Sequence, residues 1–269
     1  MGSDAGAANL LDNDAGPTTV EDASSTAMPS LDDLVQLRAE FSRFMLQYQF
    51  GIEEVKTKIE ILRLEFIHLH AHNPIEHVAA RLKSSESLIA KVSRKGLDPS
   101  FEAISASITD IAGLRIVCSF VSDVYRVAEM LSRQSDITVL ETKDYISAPK
   151  PNGYRSLHLL VQVPVFLSDE TLAVTVELQL RTVAMDFWAS LEHKIHYKYD
   201  HHLPTEVRKD LEASARTAAE LDTIMEHLHQ QVHGDGESAP PRRGSAIPTD
   251  AVLAQFLRIR AARSGPPSP

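Results

Sequence analysis

The sequence predicts an α+β fold in which a mixed β-sheet is flanked by helices. Apolar residues recur at helical spacing near both ends of the chain, whereas the middle alternates polar with apolar over short stretches rich in branched side chains. A helical stretch follows the first of those strands and three more strands come after it, hence a mixed sheet. The chain has 269 residues, 43% of them hydrophobic, which suits one globular domain with a sizeable core plus tails.

Composition removes several classes of function. No run of about 18 apolar residues occurs. The opening MGSDAGAANLLDNDAG has neither a basic region nor an apolar one, so neither membrane insertion nor secretion is expected. Cys118 is the lone cysteine, which excludes a disulfide framework or a Cys-based zinc site within one chain and fits the cytoplasm. The net charge of -10 makes nucleic acid an unexpected partner, while leaving room for a local basic patch that holds phosphates.

Residues 1–29, rich in Ala, Asp, Ser, Thr and Gly, cannot bury enough surface to offset ordering and are expected to be a disordered tail. From Leu31 to about His70 the helical stripe includes Leu34, Leu37, Phe41, Phe44, Ile52, Val55, Ile59, Leu62 and Phe66, with Gly51 expected to divide it into two helices. A further helix is expected from Ile75 to Lys95, with Gly96 as its C-cap. Leu114–Phe120 then reads as a strand and Val124–Ser132 as a helix. Strands follow at Ile137–Thr142, Ser156–Val163 and Leu172–Leu180, with LSDET turning between the last two. Thr182 is placed to cap a helix reaching about Tyr199, and Pro204 opens a long helix toward Val232. The expected domain is residues 30–233, and residues 234–269 form a flexible C-terminal tail in which AVLAQFLRIRAAR can form a short amphipathic helix.

Candidate chemistry falls in four places. Lys83, Ser87, Lys91 and Arg94 are spaced by four, four and three, a single helical stripe opposite Leu82, Ile89 and Val92. Such a stripe can grip a polyphosphate, or simply be a solvated helix face. Ser156, His158 and Gln162 alternate with Leu157, Leu159 and Val161, as do Thr175, Glu177, Gln179 and Arg181 with Val176, Leu178 and Leu180. Those strands have one apolar face and one that is either reactive or merely wet. Asp110, just before the strand holding Arg115, and Glu177 could converge on Mg2+, which takes few carboxylates and fills its shell with phosphate oxygens. The loop SAPKPNGYRS offers Lys150, Tyr154 and Arg155, suited to a nucleobase and its phosphates or to an ordinary surface turn. The histidines of HLHAH and His193, His196, His201 and His202 read as surface or capping residues rather than metal ligands.

RLKSSESLIAKVSRKG, DIAGLRIVCSF, KPNGYRSLH, VELQLRT and AMDFWASLEHKIHYKY occur in the order and at the spacing found in RelA/SpoT-type alarmone synthetases, which the chain resembles from about Pro74 to Asp200. The resemblance implies a nucleotidyltransferase-like synthetase domain that moves pyrophosphate from ATP to the 3'-hydroxyl of GDP or GTP, and of GMP in some members, with Mg2+ as cofactor. It puts Arg81 and Arg115 on the adenine and Lys83, Ser87, Lys91 and Arg94 on the ATP phosphates. Asp110 and Glu177 become metal ligands, with Glu177 also activating the acceptor hydroxyl, while Lys150, Tyr154, His158 and Gln179 hold the guanine nucleotide, Tyr154 stacking on the base. A homotetramer is implied too. The alternatives are transfer to a tRNA 3'-end, as in toxic relatives, and a catalytically inactive nucleotide-binding module. No His-Asp dipeptide occurs, so the hydrolase domain of the long bifunctional relatives is not recognisable, and the length implies that their regulatory half is missing as well. In the product-activated branch a Phe and a Thr line a central alarmone cleft; His77 and Ala79 stand at those positions here, so weak or absent activation is expected.

Overall fold

The computed structural model describes residues 30–70, 72–199, 203–233 and 250–263. The tail expected at residues 1–29 and the linker-like residues 234–249 lie outside them. The chain divides into two units, Met1–Glu40 and Phe41–Pro269. In the first, the described residues are the start of helix α1 (Leu31–Leu69). Ser30 Oγ accepts from Asp33 N at 3.1 Å, and the Asp33 carboxylate accepts from Ser30 N and Oγ at 3.1 and 2.7 Å. This reciprocal cap satisfies N–H groups that a helix start leaves without partners. Leu31, Leu34, Val35 and Leu37 are exposed there.

The second unit holds the rest of α1 and every strand found among the described residues. In chain order it runs β1 (Ile75–Leu82), α2 (Ser85–Lys95), α3 (Phe101–Ser107), β2 (Ala112–Cys118), α4 (Val121–Ser132) and β3 (Thr138–Asp144). There follow β4 (Leu157–Phe166), β5 (Thr171–Thr182), α5 (Val183–Lys198), α6 (Thr205–His233) and α7 (Asp250–Arg263). The five strands form one sheet in the order β1-β2-β5-β4-β3. Only β2 and β5 pair in parallel; the other neighbours are antiparallel. The sheet is therefore mixed and the fold α+β, as the alternation of periods predicts.

The core lies on one sheet face. Phe44, Tyr48, Ile52, Val55 and Ile59 of α1, and Val124, Val127 and Leu131 of α4, join Leu114, Ile116, Leu159, Val161, Val176 and Leu178 in one buried cluster. Each fully buried Ile or Leu contributes about 1.5–3 kcal/mol relative to exposure. Pro164 of β4 pairs with Ala173 of β5 but lies beyond Gln162, the last residue of β4 that β3 reaches, so on the β3 side it stands at a free edge, where proline is tolerated. Burial raises the Cys118 thiol far above its ordinary pKa, with Asp123 and Glu76 adding to the effect, which marks a structural thiol.

Several expectations are corrected. Gly51 does not break α1, which is continuous across it. A β-carbon there would lie 2.6 Å from Val174 Cγ1 and 3.3 Å from Val176 Cγ2, so glycine serves close helix-to-sheet packing. Residues 75–95 are not one helix. HVAARL carries good helix formers, yet it becomes β1, pairing with β2 from Ile75↔Cys118 to Leu82↔Ala112 and supplying partners for a strand edge that would otherwise be bare. The helix begins later, where Ser84 Oγ accepts from Ser87 N at 3.3 Å, and ends at Gly96 with φ 61°. Its buried residue is Leu88, whereas Ile89 is exposed. Helix α3 has no counterpart in the expected elements. The short helix expected within AVLAQFLRIRAAR is present as α7, and its residues 251–260 are all exposed, so the described part has no buried face.

Gly51→Ala should lower the unfolding free energy by about 1–3 kcal/mol, despite the better helix propensity of alanine, through overpacking against Val174. Urea denaturation measures this, and adding Val174→Ala should recover part of the loss. A Gly51→Ala protein as stable as the parent would show that the helix has room to stand off.

Candidate active site

Strand register gathers the candidate residues. Residues paired across neighbouring strands point to the same face. Arg81, Gly113, Glu177, Leu160 and Glu141 thus form one row across the sheet, and Ala79, Arg115, Gln179, His158 and Lys143 form the next. Both rows lie on the face opposite the core, so the alternation seen in β4 and β5 separates a packed face from a chemical one.

A cleft opens over β1, β2 and β5, lined by Arg81, Lys83, Asp110, Gly113, Arg115, Glu177 and Gln179. Gly113 leaves its floor clear, since an added β-carbon would meet only Arg81 O and Glu177 O at 3.7 and 3.8 Å. Lys83 stands in the link from β1 to α2, its N–H donating to Ile111 O at 2.8 Å. Its ammonium reaches Asp110 Oδ2 at 2.8 Å, and Lys91, one helix face away, reaches Asp110 Oδ1 at 2.7 Å. Arg115 is held by Asp186 Oδ1 at 3.1 Å. Arg81 is exposed on the edge strand, where its backbone pairs with Gly113 of β2. Ser87 and Arg94 are exposed on α2; Ser87 lies in its first turn, where free N–H groups favour anions, and Arg94 does not touch Asp110.

A second cluster adjoins the cleft through Glu177 and Gln179. Arg181, itself buried, donates through Nη2 to Tyr154 Oη and to Gln179 Oε1, both at 2.7 Å. Tyr154 Oη lies 2.8 Å from His158 Nε2, and His158 Nδ1 lies 3.2 Å from Glu177 Oε1. An ionised Glu177 can only accept, so His158 Nδ1 carries the proton of that bond, and in a neutral imidazole Nε2 then accepts from the Tyr154 hydroxyl. Gln179 Nε2 donates to Glu177 Oε2 at 3.1 Å. The Lys150 ammonium sits 4.5 Å from the centroid of Tyr145 and 4.7 Å from that of Tyr154, an attraction to both ring faces.

The loop bearing Lys150 and Tyr154 is fixed from below. Gly153 N donates to Lys150 O at 2.8 Å, closing the turn. Gly153 has φ 89°, and a β-carbon on it would lie 2.4 Å from Ala215 Cβ of α6, so both conformation and space demand glycine. Asn152 ties the loop to α5 through Glu192 Oε1 at 3.1 Å. Trp188 of α5 donates to Leu211 O and Ser214 Oγ of α6 at 3.1 and 3.0 Å, locking the two helices beneath it.

The twelve residues that the resemblance singles out lie on these two adjoining clusters or on α2 beside them. Sequence reading missed Tyr145, which shares Lys150, and gave no role to Arg181 or Asp186. Asp186 accepts from both Arg115 and Arg181, at 3.1 and 3.2 Å. A signal existed in Arg181 continuing the polar alternation of β5, but its burial, and hence its structural weight, was not visible there. Ser156, expected on the chemical face, is buried and donates to Leu180 O at 3.1 Å. Of the histidines set aside, His72 pairs with the buried Asp123 at 2.9 Å, and no group of three or more potential ligands that could hold a metal occurs among the described residues. Two carboxylates in one cleft still suit a hard divalent cation that completes its shell with phosphate and water, and the charge of Asp110 is felt at Glu177.

Residues 80–202 match the family model described as the region found in RelA / SpoT proteins. The GTP pyrophosphokinase YwaC of Bacillus subtilis is 43% identical over 202 residues, 75% of this chain and 96% of that protein. The crystal structure of small alarmone synthetase 2 from B. subtilis superposes with a TM-score of 0.66 at 43% identity, covering 71% of this chain and 99% of that one. Small alarmone synthetase 1 of the same organism, bound to its product pppGpp, gives 0.67 at 38% identity, covering 72% and 98%.

Both carboxylates are held below their ordinary pKa. For Asp110, burial works against ionisation but is outweighed by the ion pairs with Lys83 and Lys91. For Glu177, burial is outweighed by His158 and Gln179. A carboxyl whose folded-state pKa is depressed stabilises the fold above its unfolded value, near 4, and loses that contribution as pH falls through the depressed value. Thermal melts between about pH 6 and 2 should therefore fall less steeply for Asp110→Asn than for the parent. Equal slopes would mean that these ion pairs contribute nothing to stability.

Proposed function

The chain belongs to the RelA/SpoT family, and from that premise we propose that it is a GTP pyrophosphokinase of the small alarmone synthetase kind. It transfers the β,γ-pyrophosphate of ATP to the 3'-hydroxyl of GDP or GTP, with GMP a further acceptor of the same chemistry, and releases AMP. The observation that carries this reading is the junction at Glu177, where the cationic cleft around Asp110 and the aromatic cluster around Tyr154 meet.

In this reading Arg81 and Arg115 flank the adenine, Arg115 with its guanidinium oriented by Asp186. Lys83, Ser87, Lys91 and Arg94 take the ATP phosphates. Lys150, Tyr154, His158 and Gln179 hold the acceptor, with guanine displacing the Lys150 ammonium from the Tyr154 face. The 3'-oxygen attacks the β-phosphorus, the bond from that phosphorus to the AMP oxygen breaks, and Glu177 accepts the hydroxyl proton. His158 and Gln179 each bond one oxygen of Glu177, keeping it ionised and aimed while leaving lone pairs free. Negative charge spreading over the transferring oxygens meets cations already in place. Asp110 and Glu177 would hold Mg2+, which when bound supplies charge neutralisation at the phosphates.

No observation favours a tRNA acceptor. An inactive module would lack Asp110 or Glu177, and both are present. No helix among the described residues is long and apolar enough to cross a membrane, which accords with a cytoplasmic enzyme. Exposed Leu221, Ile224, Met225 and Leu228 on α6 offer a surface for the homotetramer proposed here.

Incubation with γ-labelled ATP, Mg2+ and each of GMP, GDP and GTP, followed by separation of the products, tests the reading. Glu177→Gln should lower product formation at least about a hundredfold with the fold intact; near-parental rates would remove Glu177 from the chemistry. Tyr154→Ala should weaken the acceptor by about 1–3 kcal/mol and ATP far less, whereas Tyr154→Phe should keep acceptor affinity and lose only the hydroxyl's links to His158 and Arg181. Equal weakening of both substrates by Tyr154→Ala would make the tyrosine structural.

A further inference from the structure

Both oxygens of Asp110 are already taken. Lys83 Nζ bonds Oδ2 at 2.8 Å and Lys91 Nζ bonds Oδ1 at 2.7 Å, from two different segments that converge on one carboxylate. Lys83 is only 12% exposed and Lys91 21%, so water screens these contacts less than it does a surface ion pair. A divalent cation approaching Asp110 meets two ammonium groups where it needs lone pairs. The same lysines are the cations that the proposed function assigns to the ATP phosphates.

We propose that Lys83 and Lys91 mask the metal-binding carboxylate in the nucleotide-free protein, and that the polyphosphate of ATP unmasks it by drawing the two ammonium groups away. The inference rests on the proposed function, because it takes the cleft to bind a nucleotide polyphosphate. Phosphate oxygens and the Asp110 carboxylate compete for the same two cations. When phosphates win, the carboxylate loses its partners in a half-buried cleft that already contains Glu177, and a divalent cation then restores the charge balance. Nucleotide and metal therefore bind with positive coupling, and the coupling is reciprocal. The device keeps the cleft from filling with metal alone, and it keeps Asp110 paired, and so tolerably buried, between turnovers.

The test reads metal binding directly, with Mn2+ as the spectroscopic probe and electron paramagnetic resonance on the full chain without nucleotide. The parent protein should bind Mn2+ weakly. Lys83→Met and Lys91→Met should each tighten Mn2+ binding by about tenfold, the scale of one lost competing ion pair in a partly buried site. Asp110→Asn added to either should abolish the gain, which places the bound ion at that carboxylate. Arg94→Met removes a nearby cation that does not touch Asp110 and should change the affinity by less than about twofold, separating masking from the general field. Thermal melts confirm that each variant is folded, and because the two lysines lie on different segments, either variant alone suffices.

Unchanged Mn2+ affinity in a folded Lys83→Met or Lys91→Met protein, or an equal gain from Arg94→Met, would overturn the masking. Tight Mn2+ binding by the nucleotide-free parent would do the same. Product formation by the parent is scored in parallel: synthesis without unmasking sinks only this inference, whereas a parent that makes no product sinks the functional reading together with it.

Discussion

Gly113 to Cys118 of β2 run parallel to Glu177 to Thr182 of β5, and the site depends on that register. It sets Gly113 beside Glu177 and Arg115 beside Gln179, so that Asp110, three residues before Gly113, opens onto the same cleft as Glu177. A slip of one residue would turn Glu177 into the core and Leu178 into the cleft. The register is fixed by what the opposite face buries: Leu114, Ile116, Leu178 and Leu180 are essentially inaccessible to solvent. Core packing and placement of the carboxylates are thus two consequences of one pairing.

Once the carboxylates are brought together, charge has to be managed. Each is surrounded by donors of a different kind. Asp110 has two ammonium groups, a strong and exchangeable arrangement. Glu177 has a histidine and an amide, which orient it and hold its charge without occupying it fully. The contrast suits one carboxylate that gives up its partners when substrate arrives and another that keeps them through the chemistry. Arg181 underlies the second arrangement. Buried and bonded to Tyr154, Gln179 and Asp186, it links the aromatic cluster to the carboxylate that also orients Arg115, so the two clusters share one scaffold.

The loop bearing Lys150 and Tyr154 shows how a flexible-looking segment is made rigid. Pro151, Asn152 and Gly153 read as turn formers, yet the turn is held by α5 and α6 as much as by its own hydrogen bond. Gly153 fits against Ala215 with no room for a side chain, and Asn152 reaches Glu192. Helices late in the chain therefore set the position of Tyr154, and Thr182 carries the connection further: its hydroxyl accepts from Met185 N at the start of α5 and donates to the buried Asp222 of α6 at 2.8 Å. Burial raises the Asp222 carboxyl above its ordinary pKa despite the hydrogen bond from Thr182.

By itself the sequence determined the fold class, the strands β2 to β5 within a few residues, the separation of packed and polar faces in β4 and β5, and which residue types the cleft would gather. Those features are local: alternation and helical period follow from backbone geometry, and the five ordered motifs lie in contiguous segments. Tertiary structure alone decided the rest. HVAARL became a strand because the edge of β2 lacked hydrogen-bond partners, a demand made by residues thirty or more positions away and stronger than the helix propensity of alanine. Gly51 stayed helical because a sheet pressed against it rather than because the helix ended. The weight of Arg181 and Asp186, and the double occupation of Asp110, arose only when separate segments met. Charge pairing and burial depend on distance in space, which residue spacing along the chain does not specify.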